Sequence, residues 1–183
     1  MKTAYVVVEG PSDAEILRAV LDPRLLEGVG IVPAGGLANM ASLARSLLVR
    51  RSVPVAIFAD ADSLQEEVVG ERRDQFKDLV HAVAGKTSST VVLAVPEVEA
   101  VFFSVPDLIR GVFGQAPTEL MALGRRDPKG VLAQLGSTSK KPWDLGKALG
   151  LMSEKDREQL RQTQPMKELA DFLEHVQNGA AVA

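Results

Sequence analysis

The sequence contains no cysteine, only two histidines, and a single tyrosine and tryptophan. The missing cysteines exclude disulfide bonds, thiolate metal ligands and cysteine nucleophiles. The two histidines, His81 and His175, are far apart in the chain, so an ordinary zinc site with nitrogen and sulfur ligands is not expected. Any metal ion bound by this chain must therefore be held mainly by oxygen atoms.

Long apolar runs are also missing. No segment approaches the roughly 20 apolar residues of a membrane-spanning helix, and acidic residues follow the first apolar run too early for a signal peptide. We therefore expect a cytoplasmic protein that makes no use of a membrane. With 183 residues, of which 46% are hydrophobic, the chain is expected to form one domain with an ordinary core.

A net positive charge is missing and aromatic side chains are scarce, and both features contribute to nucleic-acid binding. The net charge is -3, so the chain lacks the overall basic character of proteins that contact many phosphates. Nucleic acid is not excluded, because acids gathered around a metal ion would mask local basic patches. With 4% aromatic residues, the chain has little on which bases could stack, which disfavours sequence-specific reading of single strands.

Apolar segments alternate with amphipathic segments over the first hundred residues. Strands are predicted at residues 5–8, 28–33, 53–59 and 90–95, and helices at residues 12–21, 39–51 and 64–84. Ser12, with Glu15 three residues later, has the pattern of a capping box at the start of the first helix. Because the strands are apolar throughout, we predict an α/β fold with about four parallel strands flanked by helices.

No strand is predicted after Pro96. Residues 97–135 are predicted to form short helices, residues 136–141 an exposed loop, and residues 143 to about 177 a helical tail. Trp143 is expected to anchor this tail in the core. We therefore predict a helical extension, residues 105–183, packed on the same domain as the α/β part, residues 1–104.

Acidic residues follow three of the predicted strands. Glu9 follows the first strand, Asp60 and Asp62 follow the third, and Glu97 and Glu99 follow the fourth. The carboxyl ends of parallel strands lie along one edge of a sheet, and ligands bind there where neighbouring strands connect in opposite directions. If the first and third strands are neighbours, Glu9 faces the Asp60 and Asp62 pair across this point.

Neighbouring carboxylates repel one another and raise each other's pKa unless a cation neutralises them. Magnesium prefers a few carboxylates with water and substrate phosphates, and an Asp-x-Asp turn can direct two carboxylates towards one ion or its waters. The alternative is that Asp62 or Ser63 caps the helix predicted from residue 64. The metal site is the better interpretation, because caps do not explain the Glu-Gly turn after the first strand.

The two acidic motifs resemble those of the TOPRIM domain. VVVEGPSD, with Glu9, Gly10 and Asp13, resembles the first TOPRIM motif, and FADAD resembles its Asp-x-Asp motif. The segment GIVPAGGLANM between them is similar to the glycine-rich link of many stand-alone TOPRIM proteins. The resemblance covers residues 4 to about 103 and extends to the TOPRIM nuclease domain of the OLD (overcoming lysogenization defect) family. It implies a Rossmann-like TOPRIM fold.

The resemblance also implies roles for individual acids. Glu9 would be the general acid or base and also a metal residue, while Asp60 and Asp62 would hold Mg2+ or Mn2+. Asp13 is similar to the extra acid of the nuclease branch, where a second metal ion binds. These implied roles agree with the oxygen-only metal site inferred from the composition.

Two glutamates and three basic residues complete the candidate site. Glu99 is similar to a later glutamate of the nuclease branch. Glu97 stands two positions before it, where that branch often has a smaller polar residue. Which of these two glutamates is the metal ligand is therefore left open. Lys129 stands where nuclease relatives can place a lysine that stabilises the transferred phosphate; the alternative is a solvated lysine at a helix start. Arg125 and Arg126 precede the same helix and are candidates for contacting backbone phosphates.

Three functions are compatible with these residues. The first is a stand-alone TOPRIM nuclease that hydrolyses DNA or RNA. Such a nuclease is compatible with a partner protein such as an ATPase, because this chain has no GxxxxGK[ST] nucleotide-binding loop of its own. The second is a non-catalytic TOPRIM-like module that binds metal or nucleic acid. The third is a different Mg-dependent phosphohydrolase, although the Asp-x-Asp motif of that class ends the first strand. Tyr5, the one tyrosine, lies in a predicted strand, which disfavours a topoisomerase.

Overall fold

The computed structural model describes residues 2–180, and its centre is one sheet of four parallel strands. The strands are β1 (Ala4–Val8), β2 (Val29–Pro33), β3 (Val55–Asp60) and β4 (Ser89–Ala94). Their order in the sheet is β2-β1-β3-β4, so β1 and β3 are neighbours. The predicted α/β class, with a four-stranded parallel sheet flanked by helices, is confirmed.

Successive residues of each strand point into two different cores, one on each face of the sheet. Val6 and Phe58 belong to the core on one face, whereas Val7 and Ile57 belong to the core on the other. All four side chains are buried. The uninterrupted apolar strands of the sequence are therefore explained by burial on both faces.

Three helices connect the strands: α1 (Pro11–Val20), α2 (Leu37–Arg51) and α3 (Glu66–Ala84). Helices α2 and α3 pack on one face through Met40 and Phe76, and α1 packs on the other face through Leu17. A helix between each pair of successive strands is the connection that parallel strands require. This arrangement places the carboxyl ends of the four strands at one edge.

After β4 the chain forms a 3₁₀ helix (Val98–Ser104) and a series of α-helices. These are α4 (Pro106–Phe113), α5 (Thr118–Gly124), α6 (Pro128–Ser139), α7 (Leu145–Leu151), α8 (Glu154–Arg161) and α9 (Gln164–Ala180). Leu160 and Leu169 share a core with α1 and with Phe58 of β3. The helices thus complete one face of the sheet. The predicted ranges 1–104 and 105–183 include residues 1 and 181–183, which lie outside the described residues.

Trp143 packs against two aromatic residues from the segments that follow the sheet. Its ring lies 5.5 Å from the Phe102 ring and 6.1 Å from the Phe113 ring, measured between centroids. The ring is half-buried and packs against the core that contains Phe102 and Phe113. The predicted anchoring role of Trp143 agrees with these contacts.

Two details of the sequence prediction are wrong. Ser12 and Glu15 do not cap α1, because the helix begins at Pro11 and the Asp13 carboxylate accepts a hydrogen bond from the Gly10 N–H at 2.8 Å. Residues 136–139 are not a loop but the last turn of α6. The hydroxyl of Ser139 donates to the Leu135 carbonyl at 2.7 Å, so the helix absorbs these polar side chains.

Among residues 2–180, no helix combines the length and the apolar character needed to cross a bilayer.

Candidate metal centre

Three hydrogen bonds join the carboxyl ends of β3 and β4 and the residues that follow them. The Ala61 N–H donates to the Ala94 carbonyl at 2.8 Å, and the Asp62 N–H donates to the Pro96 carbonyl at 2.9 Å. The Val98 N–H donates to Oδ1 of Asp60 at 2.9 Å. The pairing of β3 with β4 thus continues beyond the strands, and it brings the acids of both segments together.

Arg72 of α3 holds the turn that carries Asp60 and Asp62. Its Nη1 atom donates to the Asp60 carbonyl at 3.0 Å and to Oδ2 of Asp62 at 2.6 Å. Asp62 has a φ of 49°, a left-handed conformation that aspartate adopts more readily than most residues. This role of Arg72 has no signal in the sequence, because it depends on where α3 begins.

The capping interpretation of Asp62 and Ser63 is wrong. Helix α3 begins at Glu66, with Gln65 at the N-cap position, so both residues lie outside the helix. Asp62 is paired with Arg72, and the Ser63 hydroxyl accepts a hydrogen bond from the Gln65 N–H at 3.1 Å within the turn. The Asp62 carboxylate is therefore not used to begin α3.

Asp60, Asp62 and Glu97 form a compact group, which we call the acidic triad. One carboxylate oxygen of each residue lies within 4.8 Å of the others. The side chains of Asp60 and Glu97 are 13% and 19% exposed, whereas that of Asp62 is 49% exposed. The donors are all carboxylate oxygens, which fit a hard divalent cation such as Mg2+ or Mn2+. The half-exposed Asp62 carboxylate gives solvent access to the triad.

The electrostatic environment of Asp60 favours a bound cation. Burial raises the pKa of its carboxyl from the ordinary value of 3.8 to about 7, opposed by the hydrogen bond from Val98. The negative charges of Glu99 and Asp13 raise this pKa further, while Lys129 lowers it. The protein therefore stabilises the ionised carboxylate poorly, and a cation at the triad would supply what is missing.

Glu99 lies next to the triad but outside it. Burial is the main cause that raises its pKa, and the charges of Glu97 and Asp13 add to the effect. Its Oε2 atom is buried and has no hydrogen-bond partner among residues 2–180. Of the two glutamates after β4, Glu97 is thus the one in the triad, and Glu99 keeps an unused oxygen.

Lys129 is directed towards the acids rather than towards solvent alone. Its Nζ atom lies 3.0 Å from Oε1 of Glu97 and 3.8 Å from Oδ2 of Asp60. Burial lowers the pKa of this ammonium group, but the hydrogen bond to Glu97 and the nearby carboxylates outweigh burial and raise it. Lys129 is in the first turn of α6, where a positive charge is unfavourable to the helix dipole. Its position is better explained by the acids than by helix stability.

Glu9 and Asp13 follow β1, the strand next to β3. The Glu9 carbonyl accepts hydrogen bonds from Gly35 and Gly36, both at 3.1 Å, and its half-buried side chain is outside the triad. Gly35 and Gly36 have φ values of 74° and 123°, which explains the two glycines of this turn. Asp13 is close enough to raise the pKa of Asp60 and of Glu99. The sequence-predicted acids therefore lie at one edge of the sheet, as expected from the strand order.

Arg125 and Arg126 are exposed in the segment between α5 and α6, ahead of Lys129. The N-cap residue of α6 is Asp127, whose side chain accepts a hydrogen bond from the Gly130 N–H at 3.1 Å. This cap fixes the start of α6 and hence the position of Lys129. The two arginines lie just before it in the chain.

A scan of the chain against protein-family models, and searches of curated proteins and of solved structures, each give no match. Function is therefore inferred from the geometry and charges of this edge of the sheet, together with the motif resemblance.

Asp60→Asn is expected to change the pH dependence of stability in metal-free protein. The pKa of Asp60 is higher in the folded protein than its ordinary value of 3.8, so the folded state binds the proton more tightly. The free energy of unfolding should therefore fall as the pH rises from about 4 to about 7, by up to ~1.4 kcal/mol per pH unit. Urea unfolding in the presence of a chelator measures this slope.

The amide side chain of the Asp60→Asn variant cannot titrate, so this part of the slope should disappear. Asp78→Asn, a change at an exposed position of α3, is the matched control and should keep the wild-type slope. Identical slopes for the wild type and Asp60→Asn would show that burial of this carboxyl has no electrostatic cost.

Proposed function

We propose that this protein is a metal-dependent nuclease of the stand-alone TOPRIM type, which hydrolyses phosphodiester bonds of DNA or RNA with Mg2+ or Mn2+. The observation that carries the proposal is the acidic triad, whose three carboxylate oxygens lie within 4.8 Å of one another beside Lys129. Strands β1 and β3 are neighbours in the sheet, so the two motifs that resemble those of the TOPRIM domain end at the same edge. This position supports the proposal.

The chemistry follows from the donor set. A divalent cation held by Asp60, Asp62 and Glu97 would polarise a phosphoryl oxygen and lower the pKa of water. Asp60 and Glu97 are mostly buried, so their oxygens are held in place by the surrounding chain. The more exposed Asp62 is fixed instead by Arg72. The triad is thus preorganised, which keeps the cost of ordering low when the substrate binds.

Glu9 is proposed as the general acid or base. It follows β1, the neighbour of β3, and is not part of the triad, which leaves its carboxylate available to exchange a proton with the attacking water or the leaving oxygen. Asp13 and Glu99 are the acids from which a second cation would take ligands, as the resemblance implies. The charge of Asp13 acts on Glu99, and Glu99 has an unused buried oxygen, which supports this assignment.

Lys129 is proposed to stabilise negative charge on the phosphate under attack. Its ammonium group lies at the triad, and the raised pKa keeps it charged at neutral pH. Fixed positive charge at the place where negative charge develops is one of the largest contributions to catalysis. The exposed Arg125 and Arg126 would contact phosphates on one side of the cleaved bond, which positions the strand without reading its sequence.

Cleavage of supercoiled plasmid and of structured RNA, with Mn2+ or Mg2+, tests the proposal. Glu9→Gln and Asp60→Asn should each lower the cleavage rate by at least about 100-fold, because they remove the proton-transfer group and a metal ligand. Glu71→Gln and Asp78→Asn make the same chemical changes at exposed positions of α3 and should cleave like the wild type.

The other outcomes separate the alternatives. A folded protein that binds Mn2+ but cuts neither substrate, alone or with an ATPase partner, would favour a non-catalytic module. Cleavage that survives Glu9→Gln would contradict the role of Glu9. An acyl-phosphate or beryllofluoride adduct on Asp60 would favour the phosphohydrolase, because the nuclease uses this residue only as a ligand.

Lys129→Met is expected to separate catalysis from metal binding. The cleavage rate should fall by about 10²- to 10³-fold, as for the loss of one electrostatic donor in other enzymes. The affinity for Mn2+, measured by electron paramagnetic resonance, should stay the same or increase, because the ammonium group competes with the ion for Glu97 and Asp60. Lys147→Met, at an exposed position of α7, is the control. A parallel loss of Mn2+ binding would instead show that Lys129 supports the structure of the triad.

A further inference from the structure

A cavity of about 610 Å³ opens next to the acidic triad. Two of its lining residues, Glu99 and Lys129, also border the triad, so the cavity and the candidate metal centre are continuous. Its volume is in the range of pockets that bind small organic groups, roughly 300 to 1,000 Å³. The nuclease mechanism proposed above uses Glu99 and Lys129 at the border of this space but not the rest of the cavity.

Helix α6 forms one wall of the cavity. Lys129, Ala133 and Ser137 line it and recur every four residues, so they lie on the same face of the helix. This face is about 12 Å long, from the helical rise over eight residues. Ala133 and Ser137 are small and exposed, which leaves the face open to a ligand.

The chain reversal after α6 forms a second wall. The Lys141 N–H donates to the Gly136 carbonyl at 3.0 Å, and a Cβ atom on Gly136 would lie 3.1 Å from the Lys141 carbonyl oxygen. Glycine at this position therefore lets the returning segment cross close to the helix. Trp143 follows in that segment, lines the cavity, and is held by Phe102 and Phe113. The cavity thus has a fixed aromatic side.

We propose that this cavity receives one unpaired base of the nucleic acid, next to the phosphate bound at the triad. The inference rests on the proposed function. Two features match a nucleotide: the aromatic and apolar walls suit a base, and the basic residues Lys129 and Lys140 suit its phosphates.

Other ligand classes use only some of these features. A purely apolar ligand would make no use of Lys140 in the cavity wall, and a simple anion would leave the Trp143 wall without a contact. A base that is paired and stacked inside a duplex cannot enter a pocket without being extruded. The substrate class is therefore a single strand, a frayed end or an unpaired nucleotide in a folded nucleic acid.

The fluorescence of Trp143 provides a direct measurement, because it is the only tryptophan in the chain. Adenosine 5′-monophosphate, added with Mg2+, should quench this fluorescence to saturation, whereas ribose 5-phosphate, which has the phosphate but no base, should not. Ala133→Phe fills the cavity from an exposed helix position and should weaken nucleotide binding by about tenfold, within the roughly 5- to 150-fold that stacking of one base contributes. Gln134→Phe, on the neighbouring exposed position outside the cavity, should bind like the wild type.

The outcomes distinguish this inference from the proposed nuclease. If the nucleotide quenches the fluorescence and Ala133→Phe weakens nucleotide binding, the base pocket is supported, even if the protein cleaves no nucleic acid. Absence of quenching, or equal quenching by ribose 5-phosphate, would overturn the base pocket and leave a cleaving nuclease intact. Equal nucleotide affinity in the wild type and Ala133→Phe would likewise exclude this cavity as the binding place.

Discussion

The ionised carboxylate of Asp60 must be stabilised at the end of a strand that is buried on both faces. Its pKa is raised to about 7, and Asp13 and Glu99 add negative charge nearby. The Val98 N–H and Lys129 provide the positive groups that the protein itself directs at this side chain. They offset the burial only in part, and a cation at the acidic triad would neutralise the remaining negative charge.

The topology brings the participants together from distant parts of the sequence. The order β2-β1-β3-β4 sets the end of β1, which carries Glu9, beside the end of β3, and β4 lies on the other side of β3. The helices after β4 do more than cover the sheet. Helix α6 delivers Lys129 to the triad and forms a wall of the adjoining cavity, and the segment after it delivers Trp143. The site therefore uses residues from both predicted ranges, 1–104 and 105–183.

The strands and the acids that follow them were predictable, because burial on both faces gives uninterrupted apolar runs and parallel strands share one carboxyl edge. The role of Arg72 was not predictable, and that of Lys129 was predictable only through the resemblance. Each role depends on the residue at which its helix begins. The left-handed conformation of Asp62 has no sequence signal of its own. The last turn of α6 was mistaken for a loop because serine and threonine favour loops unless, like Ser139, they bond back to the helix.

Crystals soaked in Mn2+ and measured near the manganese absorption edge test the metal centre most directly. The account predicts an anomalous density peak about 2 Å from carboxylate oxygens of Asp60, Asp62 and Glu97, with the Lys129 ammonium group displaced from Glu97. A soaked crystal without a peak at these three residues, in which Lys129 keeps its contact with Glu97, would contradict it. In that case the acids would be neutralised by the protein alone.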